Sequence, residues 1–162
     1  MSDSKRFTIT RTIQASAGDI FAILRDPRGH LAIDASGMLQ DVEGEPVSAV
    51  GDRFLVHMDR APLNDIPQMG RYDVTVVITE YEHDRHIAWT IDGTIQPPLR
   101  HIYGYTLEPD GDATRVTTYY DWSQVDPERI ESSVFPVIPE VGLRATLGVL
   151  DRTVRLGLLP KR

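Results

Sequence analysis

The sequence predicts an α+β domain in which a curved antiparallel sheet of about seven strands wraps round one long C-terminal helix, with two short helices after the first strand. Three observations carry this expectation. Apolar and polar residues alternate from Phe7 to Ile13 and again along several later segments separated by turn signals. The period becomes helical over the last segment, where Leu143, Leu147, Leu150, Val154 and Leu158 recur at spacings of four and three. A sheet of that length needs its apolar face covered, and the final helix is the only element long enough to do so.

Taken in order, Phe7, Ile9 and Ile13 share one face of the first strand, with threonines on the other. Ser16 offers an N-cap, Asp19 suits the first turn, and Ile20, Phe21, Ile23 and Leu24 form an apolar stripe before Asp26-Pro27 ends the helix. Arg28 to Gly37 reads as a second short helical turn closed by glycine, followed by a small strand from Met38 to Val42. Gly51-Asp52 begins the strand Phe54 to Met58, with Phe54, Val56 and Met58 on one face. The proline-bearing stretch 61–70 reads as a loop. Strands then follow over Arg71 to Glu82, His86 to Asp92, Arg100 to Glu108 and Thr114 to Trp122, the last two joined by the Asp110-Gly111 turn. Across that turn Tyr103, Tyr105 and Leu107 share a face that matches Val116, Thr118, Tyr120 and Trp122, and His101 falls on the same side. The final helix is expected from about Pro139 to Leu158, with a preceding turn from Pro127.

Composition narrows the function classes. The 162 residues suit a single domain spanning 1–162, and 17 basic against 24 acidic residues leave a net charge of −7, which repels a phosphate backbone. Nucleic acid is therefore not an expected partner. The absence of cysteine removes disulfides, thiolate metal sites and cysteine nucleophiles, and fits a reducing compartment. The polar start, Met1 to Arg6, leads into an alternating segment rather than an apolar run, so the chain is not expected to be an integral membrane protein, and the cytoplasm is the expected location. The strings of dinucleotide, nucleotide-hydrolysis, serine-hydrolase and zinc-protease sites do not occur. No cofactor or metal is expected.

Several strings carry a family resemblance: Ala17 to Pro27 (AGDIFAILRDP), His30 to Gly37 (HLAIDASG), Tyr105 to Val116 (YTLEPDGDATRV), Asp121-Trp122-Ser123 and the helix Leu143 to Leu150. Together with the element order they resemble the SRPBCC superfamily of helix-grip proteins, which includes START lipid-transfer domains, pollen-allergen proteins and bacterial polyketide cyclase/dehydrase-like proteins. The chain looks like the last branch over essentially its whole length. The resemblance implies an elongated cavity between sheet and long helix that holds hydrophobic compounds. Each string is a capped helix, a hairpin or an amphipathic stripe, so the resemblance speaks for fold more than for chemistry.

Alternation places Phe54, Met58, Trp89, His101, Tyr103, Tyr105, Tyr120 and Trp122 on the inward face as the candidate ligand-binding set. Plain core packing accounts for the same pattern at any single position. Trp89, Tyr103, Tyr105, Tyr120 and Trp122 are expected to face the long helix. His101 and Tyr105 are the candidate catalytic groups, His101 because an imidazole beside tyrosines can donate a hydrogen bond or carry a proton. His30 and Asp34, four apart, read as a capping or salt-linked pair near the cavity mouth, with a ligand-contacting dyad as the alternative, and His83 with His86 as a solvated turn lacking a third metal ligand. The expected function is binding of a small hydrophobic or aromatic metabolite, lipid- or polyketide-like, by a monomer or homodimer. The alternatives are a polyketide cyclase or dehydratase acting in the same cavity, and a partner-binding module with the 61–70 segment as a ligand-gated lid.

Overall fold

A computed structural model describes residues 4–64, 67–93, 95–132 and 135–160. Seven strands form one antiparallel sheet: β1 (Arg6–Ile13), β2 (Leu39–Glu43), β3 (Arg53–Asp59), β4 (Arg71–Glu82), β5 (His86–Asp92), β6 (Ile102–Asp110) and β7 (Ala113–Asp121). Their spatial order is β1-β7-β6-β5-β4-β3-β2, so the meander from β2 to β7 is continued by β1 at its far edge. Helices α1 (Ala17–Leu24) and α2 (Pro27–Ile33) follow β1, and α3 (Pro127–Ser132) and α4 (Glu140–Leu156) close the chain. This is the α+β helix-grip arrangement that the periodicity predicts.

Local chemistry explains the element boundaries. Ser16 Oγ accepts the Asp19 amide to cap α1, and Asp26 Oδ1 accepts the Arg28 amide to cap α2, with Pro27 in its first turn. The two helices meet at Gly29, where a Cβ would lie 1.8 Å from the Ile23 carbonyl oxygen. Only glycine permits that approach.

Helix α2 stops at Ile33 rather than running to Gly37. The Asp34 carboxylate accepts the Ser36 amide and hydroxyl (3.1 and 2.7 Å) and the Leu39 amide (3.1 Å), and so turns the chain into β2. At the other end α4 closes in a Schellman motif: Gly157 takes φ +61° and the Leu158 amide donates to Thr153 O. Leu158, expected on the buried stripe, therefore lies beyond the helix and is exposed. Leu143, Leu147 and Leu150 are buried, and Val154 is half-buried.

The inward residues of the strands and the α4 stripe meet in one core that includes Ile9, Ile13, Phe21, Val56, Ile78, Leu107, Val116 and Leu147. An ion pair fastens helix to sheet edge: Arg11, inward on β1, places Nε 2.8 Å from Asp151 of α4, and Arg155 also holds that carboxylate. The two guanidiniums keep the Asp151 carboxyl below its usual range against the opposing effect of burial. Stretch 61–70 contains two short 3-10 turns, Ala61–Leu63 and Pro67–Met69; residues 65 and 66, the middle of the expected lid, lie outside the described residues. Among the described residues no helix is long and apolar enough to cross a membrane.

Candidate functional site

The register of the central strands sets the geometry of the site. Trp89 of β5 stands opposite Tyr103 of β6, which stands opposite Tyr120 of β7, and Tyr105 stands opposite Thr118. The Trp89 ring stacks nearly parallel to those of Tyr103 (5.9 Å, 12°) and Tyr105 (6.0 Å, 20°), so three aromatic side chains line one side of the site. Facing it are aliphatic and thioether groups of β3, β4 and α4, among them Met58, Val74, Val76 and Leu143. Between them lies a partly open cavity of about 250 Å³. Met69 and Ile95 line it while remaining 37% and 45% exposed, which places the mouth between the second 3-10 turn and the segment after β5.

The eight candidate residues divide into two groups. Met58, Trp89, His101, Tyr103 and Tyr105 line the cavity, and Phe54, Tyr120 and Trp122 do not. Phe54 is buried against His30 (ring centroids 5.0 Å) and beneath Gly44. Tyr120 is wholly buried behind Tyr103, with ring centroids 4.4 Å apart. Trp122 follows the end of β7 and packs on Phe7 of β1 at 5.0 Å. The expectation that all eight share one cavity is corrected: alternation assigns a face of the sheet, but position along and across the strands decides whether that face meets the void or another side chain.

The polar groups of the lining include Asp34, Arg60, Tyr72, His101, Tyr103 and Tyr105. His101 precedes β6 and is held by its carbonyl, which accepts Thr90 Oγ1 at 2.7 Å. Its Nδ1 lies 2.7 Å from the Tyr120 hydroxyl, and burial lowers its pKa to about 4, so the imidazole is neutral at pH 7. Burial likewise pushes Tyr105 up to about 12 and raises Tyr103 and Tyr120, so all three are protonated phenols. Arg60 continues the inward alternation two residues past Met58; it is buried, lines the cavity, and its guanidinium donates to Val137 O at 3.3 Å. Arg60 stands outside the aromatic set expected at the cavity, although its place in the 54, 56, 58, 60 series gives it the same inward parity. Val137, Ile138 and Leu99 also line the cavity from segments without periodicity, where no sequence signal exists.

Of the remaining titratable candidates, His30 and Asp34 also line the cavity, and His83 and His86 do not. His30 Nε2 meets Leu24 O at 2.7 Å, and the ring sits edge-on to Trp89 at 4.6 Å. Burial lowers its pKa to about 4. The salt-linked reading of His30 with Asp34 is thus corrected: His30 is neutral and bound to a carbonyl, while Asp34 organises its own turn. His83 pairs with Tyr81 OH (2.9 Å) and Asp84, and His86 with Tyr119 OH (2.8 Å) and Glu80. Among the described residues no group of three or more His, Asp or Glu side chains converges to hold a metal ion.

The fold recurs in solved structures. A solution NMR structure of a protein from Arthrobacter aurescens superposes with a TM-score of 0.69 at 17% identity, covering 95% of this chain and 88% of that one. Protein MLL2253 from Mesorhizobium loti gives 0.65 at 18% identity over 93% and 97% of the two chains. DynU16, a protein of the dynemicin biosynthetic locus, gives 0.61 at 14% identity over 95% of this chain and 48% of that one. These likenesses concern the fold. No curated protein matches the chain. The family described as polyketide cyclase / dehydrase and lipid transport matches residues 4–142, most of the sequence and nearly every element that shapes the cavity, and the chain belongs to that family.

Proposed function

We propose that the protein binds a small, largely apolar molecule with ring character in the cavity between the sheet and α4. One observation carries this reading: with a close-packed core around it, the fold leaves a void of about 250 Å³ walled by three near-parallel aromatic rings on one side and aliphatic side chains on the other. A void of that size lined by apolar atoms forfeits packing energy when empty, and a flat apolar guest recovers it. Native mass spectrometry of protein purified from its own host, together with thermal melting in the presence of 2-acetonaphthone, tests the reading. A retained small molecule and a concentration-dependent rise in Tm are expected. Absence of both would sink it.

A second reading, an enzyme of the cyclase or dehydratase type, is favoured by the pairing of His101 with Tyr120. A neutral imidazole at the cavity wall is the group that can take a proton from carbon next to a carbonyl, and the Tyr105 hydroxyl is a donor for the resulting enolate. This reading requires a free lone pair on the imidazole nitrogen that meets the substrate.

A further inference from the structure

Taking the cavity as a ligand site, we propose that Tyr120, which does not itself meet the cavity, fixes His101 as the tautomer protonated on Nε2. The cavity then recognises an apolar molecule through a carbonyl oxygen, and His101 serves as a hydrogen-bond donor rather than a base.

The geometry is that of a group held from behind. Tyr120 is wholly buried, its ring clamped between Tyr103 at 4.4 Å and Trp122 at 5.3 Å, so its hydroxyl has a fixed position 2.7 Å from His101 Nδ1. A buried hydroxyl proton needs an acceptor, because leaving it without one costs the full desolvation of the group. The partner at hydrogen-bond distance is His101 Nδ1, 2.7 Å away, and a neutral imidazole offers an unshared electron pair there. The Tyr120 hydroxyl therefore donates to His101 Nδ1.

A neutral imidazole carries one N–H, so when Nδ1 accepts, the proton resides on Nε2. His101 lines the cavity, whereas its Nδ1 is turned to a residue behind the wall. The ring edge bearing Nε2–H is therefore the one a guest meets. A donor in an apolar pocket rewards a ligand with one matching acceptor oxygen and is left unpaired by a hydrocarbon of the same shape. The proton that occupies Nε2 also fills the lone pair a base would need, which separates recognition from proton abstraction at the same residue.

Two measurements on the intact protein test this. The first is the ring tautomer of His101 by 15N-correlated NMR at neutral pH, without ligand. The wild type is expected to show the Nε2–H form, and Tyr120→Phe, which keeps the ring and removes the hydroxyl, is expected to shift it to a mixture. A wild-type Nδ1–H tautomer, or a tautomer unchanged in Tyr120→Phe, overturns the positioning role. The second compares affinity for 2-acetonaphthone with that for 2-ethylnaphthalene, a hydrocarbon of matching shape. The ketone is expected to bind roughly tenfold tighter to the wild type, the worth of about one hydrogen bond. Tyr120→Phe should lose most of that preference with hydrocarbon affinity unchanged. His101→Gln, whose amide keeps an N–H donor, should retain it; loss of the preference in that variant overturns donation from this position, whether or not Tyr120→Phe folds. Equal affinities in the wild type overturn the carbonyl recognition. Failure of both compounds to bind, with no molecule retained from the host, overturns the binding reading itself, while the tautomer still reports on Tyr120.

Discussion

The two faces of the sheet are built from alternate residues of the same strands, yet they treat the same side chains in opposite ways. Inside, His101 and His30 are stripped of water and their pKa values fall to about 4. Outside, His57 of β3 lies between Asp73 (2.7 Å) and Glu43 (2.8 Å) on the neighbouring strands, and hydrogen bonds to those carboxylates raise its pKa. Tyrosines divide likewise. Tyr103 and Tyr105 line the cavity, whereas Tyr119 lies across Gly104 on the other face, beneath the Arg6 guanidinium at 4.1 Å and bonded to His86. The difference teaches that burial governs the inner face, where it selects neutral groups, and cross-strand charge governs the outer one.

Acid should break the comparison most strongly. An inner histidine with a folded pKa near 4 and an unfolded value of 6.5 takes up its proton earlier in the unfolded chain. Stability is then complete above pH 6.5 and falls as the pH drops from 6.5 towards 4, by up to about 3 kcal/mol per histidine. Urea unfolding at pH 7 and pH 4.5 measures it, and a flat profile across that window would show that neither ring is buried neutral. The lowered carboxyls Asp121 and Asp151 contribute at lower pH, because their stabilisation is lost only as the pH falls below the ordinary carboxylate value of 3.8.

Next in size is the outer face of the hairpin. A Cβ at Gly104 would sit 2.2 Å from Tyr119 Cζ, so Gly104→Ala should cost about 2 kcal/mol. In a Tyr119→Ala background the same change should cost much less, a coupling that a double-mutant cycle reads. Additive effects would mean that the ring does not lie over the glycine. On the inner face, Val76→Phe adds volume where a void exists, so its stability cost should stay under about 1 kcal/mol while the Tm response to 2-acetonaphthone disappears. A large loss of stability with ligand response intact would place the cavity elsewhere.

The smallest effect is expected at His57. Its raised pKa means that the stabilisation it receives from Asp73 and Glu43 is present at pH below 6.5 and is lost as the pH rises through the folded value. His57→Gln should therefore flatten the profile slightly on the alkaline side, opposite in sign to the inner pair, and NMR titration of the ring gives the pKa directly.

Much of this was legible in the chain. Strict alternation set the face of Met58, Trp89, Tyr103 and Tyr105, because the strand period of two leaves one inward set. The caps at Ser16 and the stripe through Leu143, Leu147 and Leu150 were equally plain, since each is a local pattern. Leu158 was not, because a left-handed Gly157 ends the helix two residues early, at Leu156. Arg60 shares the inward parity of Met58, but the charge of its head group disguises a buried position that long-range contacts to Met38 and Val137 sustain.

The sequence by itself determined the order of elements, the two faces of the sheet and the helix that covers one of them, because those follow from periodicities of two and 3.6 residues within short windows. The tertiary structure alone decided which inward residues meet the void. Tyr103 and Tyr120 have the same type, the same face and directly paired positions, but Tyr103 lines the cavity and Tyr120 stands behind it holding His101. That distinction depends on depth in a packed interior, which residues far apart in the chain establish together.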